Sequence, residues 1–139
     1  MRHNESVSKI MSSDVLTVHA AQKVSEVHQL LTENRIHHVP VVNGKQLVGL
    51  ISSTDMMKLS LDAYGTPDAA NTAYLDSQFS IDDVMTADLV TIKAEDPIRS
   101  AAELLSTGGL HSLPVVDGDN MLVGIVTTTD LVNYLLDQY

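Results

Sequence analysis

The chain has 139 residues, with 8 Lys and Arg against 18 Asp and Glu, and its formal net charge is −10 at pH 7. This length predicts one compact domain rather than a multi-domain enzyme, and a hydrophobic content of 44% excludes a disordered chain. The acidity argues against nucleic acid as a partner, because phosphate binding needs clustered Lys and Arg. The sequence contains no cysteine, which excludes disulfides, zinc–thiolate sites and a cysteine nucleophile.

The hydrophobic segments are short. The apolar runs Val39–Val42 and Leu47–Ile51 cannot cross a bilayer, and the polar start Met1–Lys9 does not lead into the apolar block of a secretory signal. We therefore expect a cytoplasmic protein without membrane insertion.

The first half of the chain predicts alternating helical and β segments. A short helical patch at 7–11 precedes a short strand at 15–18. The amphipathic helix that follows carries its apolar stripe at helical spacing, on Val24, Val27, Leu30 and Leu31.

Two β-rich runs, Val39–Val42 and Leu47–Ser52, predict a hairpin, because the turn between them contains Asn43-Gly44. Both runs are continuously apolar, so we expect strands that are buried on both faces. A last helix begins at Ser53–Asp55, which gives the order β-α-β-β-α. We expect the methionines to fill core space: Met56, Met57, Met85 and Met121.

The segment between the halves predicts a linker. Tyr64-Gly65-Thr66-Pro67-Asp68 contains both Gly and Pro, which interrupt regular structure, and Ala69–Leu75 has only a weak helical pattern.

The second half repeats the first. Residues 10–44 align with 84–118 and, after one inserted residue, 47–55 align with 122–130. The second amphipathic helix has clearer limits, with Asp96 as N-cap, Pro97 at the first helical position and Gly108-Gly109 as the stop. The duplication divides the chain into repeat one (1–61), a linker (62–79) and repeat two (80–139).

Each repeat contains a motif of a known family. Gly49-Leu50-Ile51-Ser52-Ser53-Thr54-Asp55 and Gly124-Ile125-Val126-Thr127-Thr128-Thr129-Asp130 resemble the G-h-h-[ST]-x-x-D signature of cystathionine-β-synthase-type (CBS) domains, where h is hydrophobic. The Val84-Met85-Thr86 opening and the Pro-Val-Val strands resemble the same family. Two complete sets in register resemble a stand-alone pair of such domains, a Bateman module.

The resemblance implies an α/β (α+β) fold in which two β-α-β-β-α repeats pack with pseudo-two-fold symmetry. It implies a regulatory module that binds AMP, ADP or ATP in clefts between the repeats, forms a homodimer and acts on an effector in another polypeptide. We expect no catalytic residue, metal site or required cofactor, because the sequence contains no P-loop, G-x-G-x-x-G or H-E-x-x-H motif.

The resemblance also assigns the ribose-binding residues. Ribose hydroxyls would donate to Asp55 and Asp130, since one carboxylate can accept from two vicinal hydroxyls. Neighbouring hydroxyl side chains would contact ribose or phosphate beside a helix N-terminus: Ser52, Thr54, Thr127 and Thr129. The alternative is that the same residues are ordinary helix caps.

Two segments, Ile36-His37-His38-Val39-Pro40 and Leu110-His111-Ser112-Leu113-Pro114, resemble those of the AMP-activated protein kinase regulatory subunit in which His or Arg faces phosphate. We expect this role for His37, His38 and His111, because a neighbouring phosphate favours the charged imidazole. Two alternatives are polar residues tolerated at a strand end and a metal site, although adjacent histidines lack metal-ligand spacing.

Apolar walls would hold the adenine. By resemblance, one set of residues serves the cleft of Asp130, namely Ser12, Val15, Val39 and Pro40. A second set serves the cleft of Asp55, namely Thr86, Leu89, Leu113 and Pro114. The alternative for both sets is ordinary core packing.

The low number of basic residues bears on the ligand. Desolvating a triphosphate without several cations is costly, so we expect AMP or ADP in preference to free ATP, or ATP carried with Mg²⁺. Two alternatives stay open at this point: another adenosyl ligand such as S-adenosylmethionine, and a dimeric interaction scaffold whose clefts are empty.

Overall fold

The computed structural model describes residues 5–62 and 68–139, so the predicted turn at Tyr64–Pro67 lies outside the described residues. The chain divides into two compact units. We call Leu16–Leu89 the central unit, and Met1–Val15 together with Val90–Tyr139 the split unit.

The central unit is built on one antiparallel hairpin. Its elements are α1 (Val24–Asn34), β1 (His38–Asn43), β2 (Gln46–Ser52), α2 (Ser53–Asp62), α3 (Asp68–Gln78) and α4 (Ile81–Val84). The hairpin turn contains Gly44 at φ +65°, as the Asn-Gly signal predicts. The strand predicted at 15–18 is reduced to Val18, which forms a parallel bridge with Val41.

The split unit has the same core arrangement. A 3₁₀ turn at Val7–Lys9 is followed by β3 (Ile92–Lys93), α5 (Ile98–Leu105), β4 (Ser112–Val116), β5 (Leu122–Thr127) and α6 (Thr128–Asp137). β3 pairs in parallel with β4, and β4 pairs antiparallel with β5. The hairpin and the following helix are thus confirmed in both units.

The turn of the second hairpin differs from the first. Its left-handed residue is Asn120, at φ +63°. The Asp117 carboxylate accepts hydrogen bonds from the backbone N–H groups of Asp119 (2.9 Å) and Met121 (3.0 Å), which is the local bonding that Asp provides in turns. The inserted residue therefore makes a longer turn closed by this side chain.

The N-terminal segment of each repeat completes the sheet of the other repeat. The Ser12 N–H donates to the Ile125 carbonyl at 2.8 Å, and the Ile125 N–H donates back at 2.9 Å. Leu50 and Thr86 form the same reciprocal pair, at 3.0 and 2.9 Å. The compact units consequently have boundaries different from those of the sequence repeats, and the division of the sequence at 61 and 80 stays a prediction.

Each unit has its own hydrophobic core. The central core contains Val18, Val24, Val27, Leu31, Val39, Val41, Ile51, Met56, Leu59 and Ile81. The split core contains Val7, Ile92, Ala101, Leu105, Leu113, Val115 and Val126. We call 7–12 and 81–86, which pair with the hairpin of the other repeat, the exchanged segments. Ile81 lies in the central core and Val7 lies in the split core.

The predicted start of α5 is wrong by one residue. Pro97, not Asp96, occupies the N-cap position, and Ile98 is the first helical residue. The Asp96 carboxylate instead accepts the Lys93 N–H at 3.0 Å, so it closes the turn after β3. The helix ends at Leu105, shortly before Gly108 at φ +84°, which agrees with the predicted stop.

Two predictions about burial are corrected. β2 alternates between buried and half-buried positions along its length, since only one of its faces lies against the core. Met57 is 67% exposed and Met121 is 36% exposed, whereas Met56 is buried. Met57 follows Met56 directly in α2, and adjacent helical residues lie on different sides of the helix.

The linker contains a longer helix than its sequence predicts. α3 extends over Asp68–Gln78, and Leu75 packs against the central core together with Phe79. Over 5–62 and 68–139, no helix combines the length and the apolar character needed to span a membrane.

Candidate functional site

A capping box places the predicted ribose-binding carboxylate of the central unit. At the start of α2, the Asp55 carboxylate Oδ2 accepts the Ser52 N–H at 2.8 Å, and the Ser52 Oγ accepts the Asp55 N–H at 3.1 Å. These reciprocal bonds satisfy two backbone donors at the helix N-terminus. Asp55 is held half-buried at the positive end of the helix dipole.

The split unit repeats this geometry at the start of α6. Asp130 Oδ2 accepts the Thr127 N–H at 2.8 Å and the Thr127 hydroxyl at 3.2 Å. Thr127 Oγ1 in turn accepts the Asp130 N–H at 3.3 Å. Thr54 and Thr129 are exposed, one residue before the aspartate of each motif. The N-cap alternative is therefore confirmed as local geometry in both motifs.

A third capping box lies outside the predicted site. At α4, the Asp83 carboxylate accepts the Ser80 N–H at 2.9 Å and the Ser80 hydroxyl at 3.0 Å. These hydrogen bonds from Ser80, backbone first, lower the pKa of Asp83 from its usual value because they stabilise the carboxylate. A capping box alone does not identify a ligand site.

The histidine segments lie directly beside the two motif helices. The His37 carbonyl accepts the Ser53 N–H at 2.8 Å, and the His111 carbonyl accepts the Thr128 N–H at 3.2 Å. The side chains of His37 and His111 are exposed, and His38 is half-buried at the start of β1 opposite Ser52. The histidines predicted to face phosphate are thus brought to the helix N-termini, although their role stays a prediction.

The exchanged segments bring further predicted residues to the same places. Thr86 pairs with Leu50, on the strand that leads into the Asp55 motif, and Ser12 pairs with Ile125, on the strand that leads into the Asp130 motif. Val15 and Leu89 belong to the same units and are half-buried. The contacts that the resemblance implies between these residues and a ligand stay predictions.

The predicted apolar walls lie inside the two units. Val39 and Leu113 are completely buried in the cores of the central and split units, as the alternative of core packing predicts. Pro40 and Pro114 are buried beside them. The predictions that join Val39 and Pro40 to Asp130, and Leu113 and Pro114 to Asp55, connect residues of different units and remain predictions.

Sequence reasoning missed Ser112. Its side chain is 3% exposed, and its Oγ has no hydrogen-bond partner within the described parts of the chain. Ser112 aligns with His38 and pairs with Thr127 across the hairpin, as His38 pairs with Ser52. The alignment with His38, a predicted site residue, could have indicated Ser112 from the sequence.

Two observations concern charged side chains that could bind phosphate or a metal ion. Arg99 pairs with Glu103 on the exposed face of α5 at 3.0 Å, and this pairing partly neutralises its charge. Among the residues that the structure describes, no group of three His, Cys, Asp or Glu side chains could hold a metal ion.

The profile of the CBS domain family matches this chain twice, over residues 7–62 and 81–137. Protein MJ1225 of Methanocaldococcus jannaschii is 29% identical over 133 residues, which cover 94% of this chain and 47% of MJ1225. A homoserine O-acetyltransferase of Methanohalobium evestigatum is 31% identical over 126 residues, which cover 90% of this chain and 23% of that protein. The chain therefore spans about half the length of the first relative and less than a quarter of the second.

Solved structures of similar fold include ligand complexes. MJ1225, a proposed archaeal homologue of g-AMPK, has a TM-score of 0.83 at 27% identity, covering 97% of this chain and 49% of its own. The CBS domain pair of protein MJ0100, in complex with 5′-methylthioadenosine and S-adenosyl-L-methionine, has a TM-score of 0.78 at 26% identity, covering 94% and 99%. CBSX2, a protein of Arabidopsis thaliana, was solved in complex with AMP and has a TM-score of 0.80 at 25% identity, covering 96% and 97%.

Proposed function

Since the chain belongs to the CBS domain family and carries two of its domains, we propose that it is a regulatory module that binds an adenosyl ligand at the Asp55 and Asp130 motifs. AMP and ADP are favoured over free ATP, and ATP would bind as its Mg²⁺ complex. The module has no catalytic step of its own. Ligand binding changes the activity of an effector protein in the cytoplasm.

The observation that carries the proposal is the repeated motif geometry. In both units a half-buried carboxylate is held at a helix N-terminus, beside a histidine segment and beside an exchanged strand residue. The capping bonds from Ser52 and Thr127 use Oδ2 of each carboxylate, and a carboxylate has about four lone-pair positions, so a capping aspartate retains capacity for ribose hydroxyls. AMP on CBSX2 and two adenosyl ligands on MJ0100 support the ligand class.

The charge of the chain supports the preference among nucleotides. A net charge of −10 with eight basic residues makes the transfer of a free triphosphate into the site costly. AMP carries less charge, and Mg²⁺ neutralises part of the charge of ATP. A regulatory effect further requires that the ligand bind one state of the module and its effector more tightly than another.

The experiment is calorimetric titration of the purified protein with AMP, ADP, ATP, MgATP, S-adenosylmethionine and 5′-methylthioadenosine. We expect AMP or ADP to bind more tightly than metal-free ATP. We expect Asp130→Ala and Asp55→Ala each to weaken binding at one site by about tenfold or more, because a hydrogen bond to a charged group contributes about 1.5–3 kcal/mol.

The matched control is Asp83→Ala, which removes an equivalent capping box outside the predicted site. It should lower stability in the manner of the other two variants without changing nucleotide affinity. Equal affinities for wild type, Asp55→Ala and Asp130→Ala would reject the site, and no binding to any member of the panel would favour the alternative of a scaffold with empty sites.

We propose a second copy of the chain as a partner, through the outer face of α6. This face exposes three apolar side chains, Val132 (51%), Leu135 (44%) and Leu136 (66%). At this helical spacing they form one apolar patch, whereas the exposed apolar residues of a monomer are usually scattered singly. Sedimentation equilibrium should show a dimer for wild type and a weaker dimer for Leu136→Asp. A wild-type monomer at all concentrations would contradict this assembly.

A further inference from the structure

Glu5 joins two helices of the split unit. Its carbonyl accepts the N–H of Ile98, the first residue of α5, at 2.8 Å. Its half-buried carboxylate accepts a hydrogen bond from the hydroxyl of Tyr134, in the middle of α6. Glu5 thus supplies one of the partners that a helix N-terminus lacks and, with its side chain, holds a second helix.

The same stretch of chain continues to β5. We call residues 5–12, the exchanged segment and the two residues before it, the strap. The N–H groups of Val7 and Ser8 donate to two carbonyls between β3 and α5, at 2.8 and 2.9 Å. At the other end of the strap, Ser12 pairs with Ile125 on β5, the strand that leads into α6. The strap therefore contacts both α6 itself and the strand before it.

Tyr134 lies on the same side of α6 as Asp130. The two residues are four positions apart, which places them one turn from each other on one helix face. Both are half-buried, and so is Leu131, which packs against the split core, whereas Val132 is exposed. The bond between Glu5 and Tyr134 therefore holds the inner side of α6, one turn after the carboxylate to which the proposed function assigns the ribose.

The central unit is built differently at the equivalent positions. Phe79 aligns with Glu5 and Leu59 aligns with Tyr134, and both are apolar: Leu59 belongs to the central core and Phe79 packs against it. Apolar contacts are non-directional, whereas a hydrogen bond weakens steeply when its angle changes. The attachment of α6 is hence more sensitive to a shift of its helix than the attachment of α2.

Two attachments to one segment fix the direction of α6. One is the pairing of β5 with Ser12, and the other is the bond of Tyr134 to Glu5. Ribose binding depends on that direction, because the ribose hydroxyls have to meet the Asp130 carboxylate at hydrogen-bond distance and angle. A ligand that holds Asp130 likewise holds α6 and favours the docked strap.

We propose that Glu5 and Tyr134 are positioning residues for the Asp130 site, and that docking of the strap and ligand binding at this site favour each other. The proposal rests on the proposed function, and neither residue contacts the ligand. Linkage makes the effect reciprocal, so an undocked strap weakens binding and a bound ligand tightens the strap. The strap thus reports the occupancy of the Asp130 site and not that of the Asp55 site.

The test uses Tyr134→Phe, which removes only the hydroxyl, and titration with AMP and with 5′-methylthioadenosine. An Asp55→Ala background reports the Asp130 site, and an Asp130→Ala background reports the Asp55 site. We expect the dissociation constant at the Asp130 site to rise about fivefold or more, the lower end of the usual coupling between two sites, and that at the Asp55 site to stay unchanged. Glu5→Ala should act in the same way, whereas Glu5→Gln, whose amide oxygen still accepts, should retain most of the affinity.

Hydrogen exchange measures the reciprocal effect. The N–H groups of Val7, Ser8 and Ile98 all donate hydrogen bonds that exist only while the strap is docked. In the Asp55→Ala protein, a saturating ligand should slow the exchange of these three amides. Tyr134→Phe should abolish most of that change.

The matched control is Tyr74→Phe, because Tyr74 is an exposed tyrosine (42%) on α3 of the central unit. It should change neither the affinities nor the exchange of the strap amides. A lower melting temperature for Tyr134→Phe with an unchanged dissociation constant at the Asp130 site would overturn the proposal and leave the bond a structural contact. An equal rise at both sites would also overturn it, because it would show a general loss of structure.

Failure of this inference can be told apart from failure of the proposed function. If the Asp55→Ala protein binds a probe and the further change Asp130→Ala abolishes that binding, but Tyr134→Phe leaves it unchanged, this inference fails and the proposed function stands. If wild type binds neither probe, the proposed function fails for these ligands, and this inference fails with it.

Discussion

Asp55 and Asp130 hold the same position in the two repeated motifs. Both are the third residue after an N-cap hydroxyl, and both close a capping box with it. The sequence left a helix cap and a ribose ligand as alternatives, and the structure confirms the cap. The cap and the ligand are compatible, because the cap orients the carboxylate at the helix N-terminus before any ligand arrives. The ribose contact stays a prediction.

The glycine that opens each signature is explained by close packing. A Cβ on Gly124 would lie 2.8 Å from the Met11 sulfur and 2.9 Å from the Ser12 carbonyl oxygen. A Cβ on Gly49 would meet the side chain of Met85 in the same way. The glycines therefore allow the exchanged segments to pair with β2 and β5, and Met85 is a packing residue, as predicted.

At the residue scale we predict that Gly124→Ala lowers the free energy of unfolding by about 1–3 kcal/mol, the usual cost of an overpacked site. The backbone oxygen of Ser12 cannot move aside without loss of the pairing with Ile125. Urea denaturation gives the measurement. Gly118→Ala is the control, because nothing lies within 4 Å of its added Cβ. Equal stability of the two variants would show that the Ser12 segment is not held against β5.

At the scale of elements, the N-terminus of α1 is capped by a residue that is distant in the sequence. α1 begins after Lys23, whose side chain forms no cap bond. Its cap comes from α3, where the Asp76 carboxylate accepts the Ser25 N–H at 3.0 Å and the Ser25 hydroxyl at 2.7 Å. A carboxylate there also interacts favourably with the helix dipole. These two bonds join the linker helix α3 to the start of α1.

We predict that Asp76→Ala costs about 1 kcal/mol of stability, the usual effect of losing a helix cap. In a double-mutant cycle with Ser25→Ala, the two losses should not add, because both variants remove the bond between the hydroxyl and the carboxylate. Thermal unfolding of the four proteins provides the data. Ser77→Ala is a suitable control, since its hydroxyl donates to the Tyr74 carbonyl and accepts from the Gln78 side chain, both within α3. Strict additivity would contradict the cap from α3.

At the scale of the whole molecule, the exchange of N-terminal segments sets the folding units. Val7 belongs to repeat one in the sequence but is completely buried in the split core, and Ile81 belongs to repeat two but is completely buried in the central core. Neither repeat, taken as a continuous stretch of sequence, contains all the residues of one core. The two repeats are therefore expected to depend on each other for stability.

This exchange predicts a crossed pattern of hydrogen exchange. Val7→Ala should reduce the protection of β5 amides such as Ile125 by about tenfold or more, which corresponds to about 1.4 kcal/mol, and should affect β2 less. Ile81→Ala should do the reverse and act first on Leu50 and its neighbours in β2. The two variants serve as controls for each other, since each removes a buried aliphatic side chain from one exchanged segment. The opposite pattern would show that each repeat packs on its own hairpin.

Much of the fold could be predicted from local patterns. The strand pairs were predicted to within a few residues, because Asn43-Gly44 and the Pro-Val-Val runs define a hairpin locally. Predictions for individual residues were less accurate. Asp96 closes a turn instead of a helix, Met57 is exposed, and Val18 forms a single bridge instead of a strand. Asp96 bonds to Lys93, three residues earlier, and Met57 directly follows the buried Met56. Only the bridge of Val18 involves a residue distant in the sequence, Val41.

The sequence by itself determined the duplication, the two hairpins and the residues of the repeated signature, because hydrophobic spacing and turn residues act over a few positions of the chain. Only the tertiary structure decided which N-terminal segment completes which sheet, that α3 caps α1, and that Ser112 is buried without a partner. Strand pairing and burial depend on contacts between residues far apart in the chain. No local pattern specifies which of two similar hairpins a segment such as 5–12 will join.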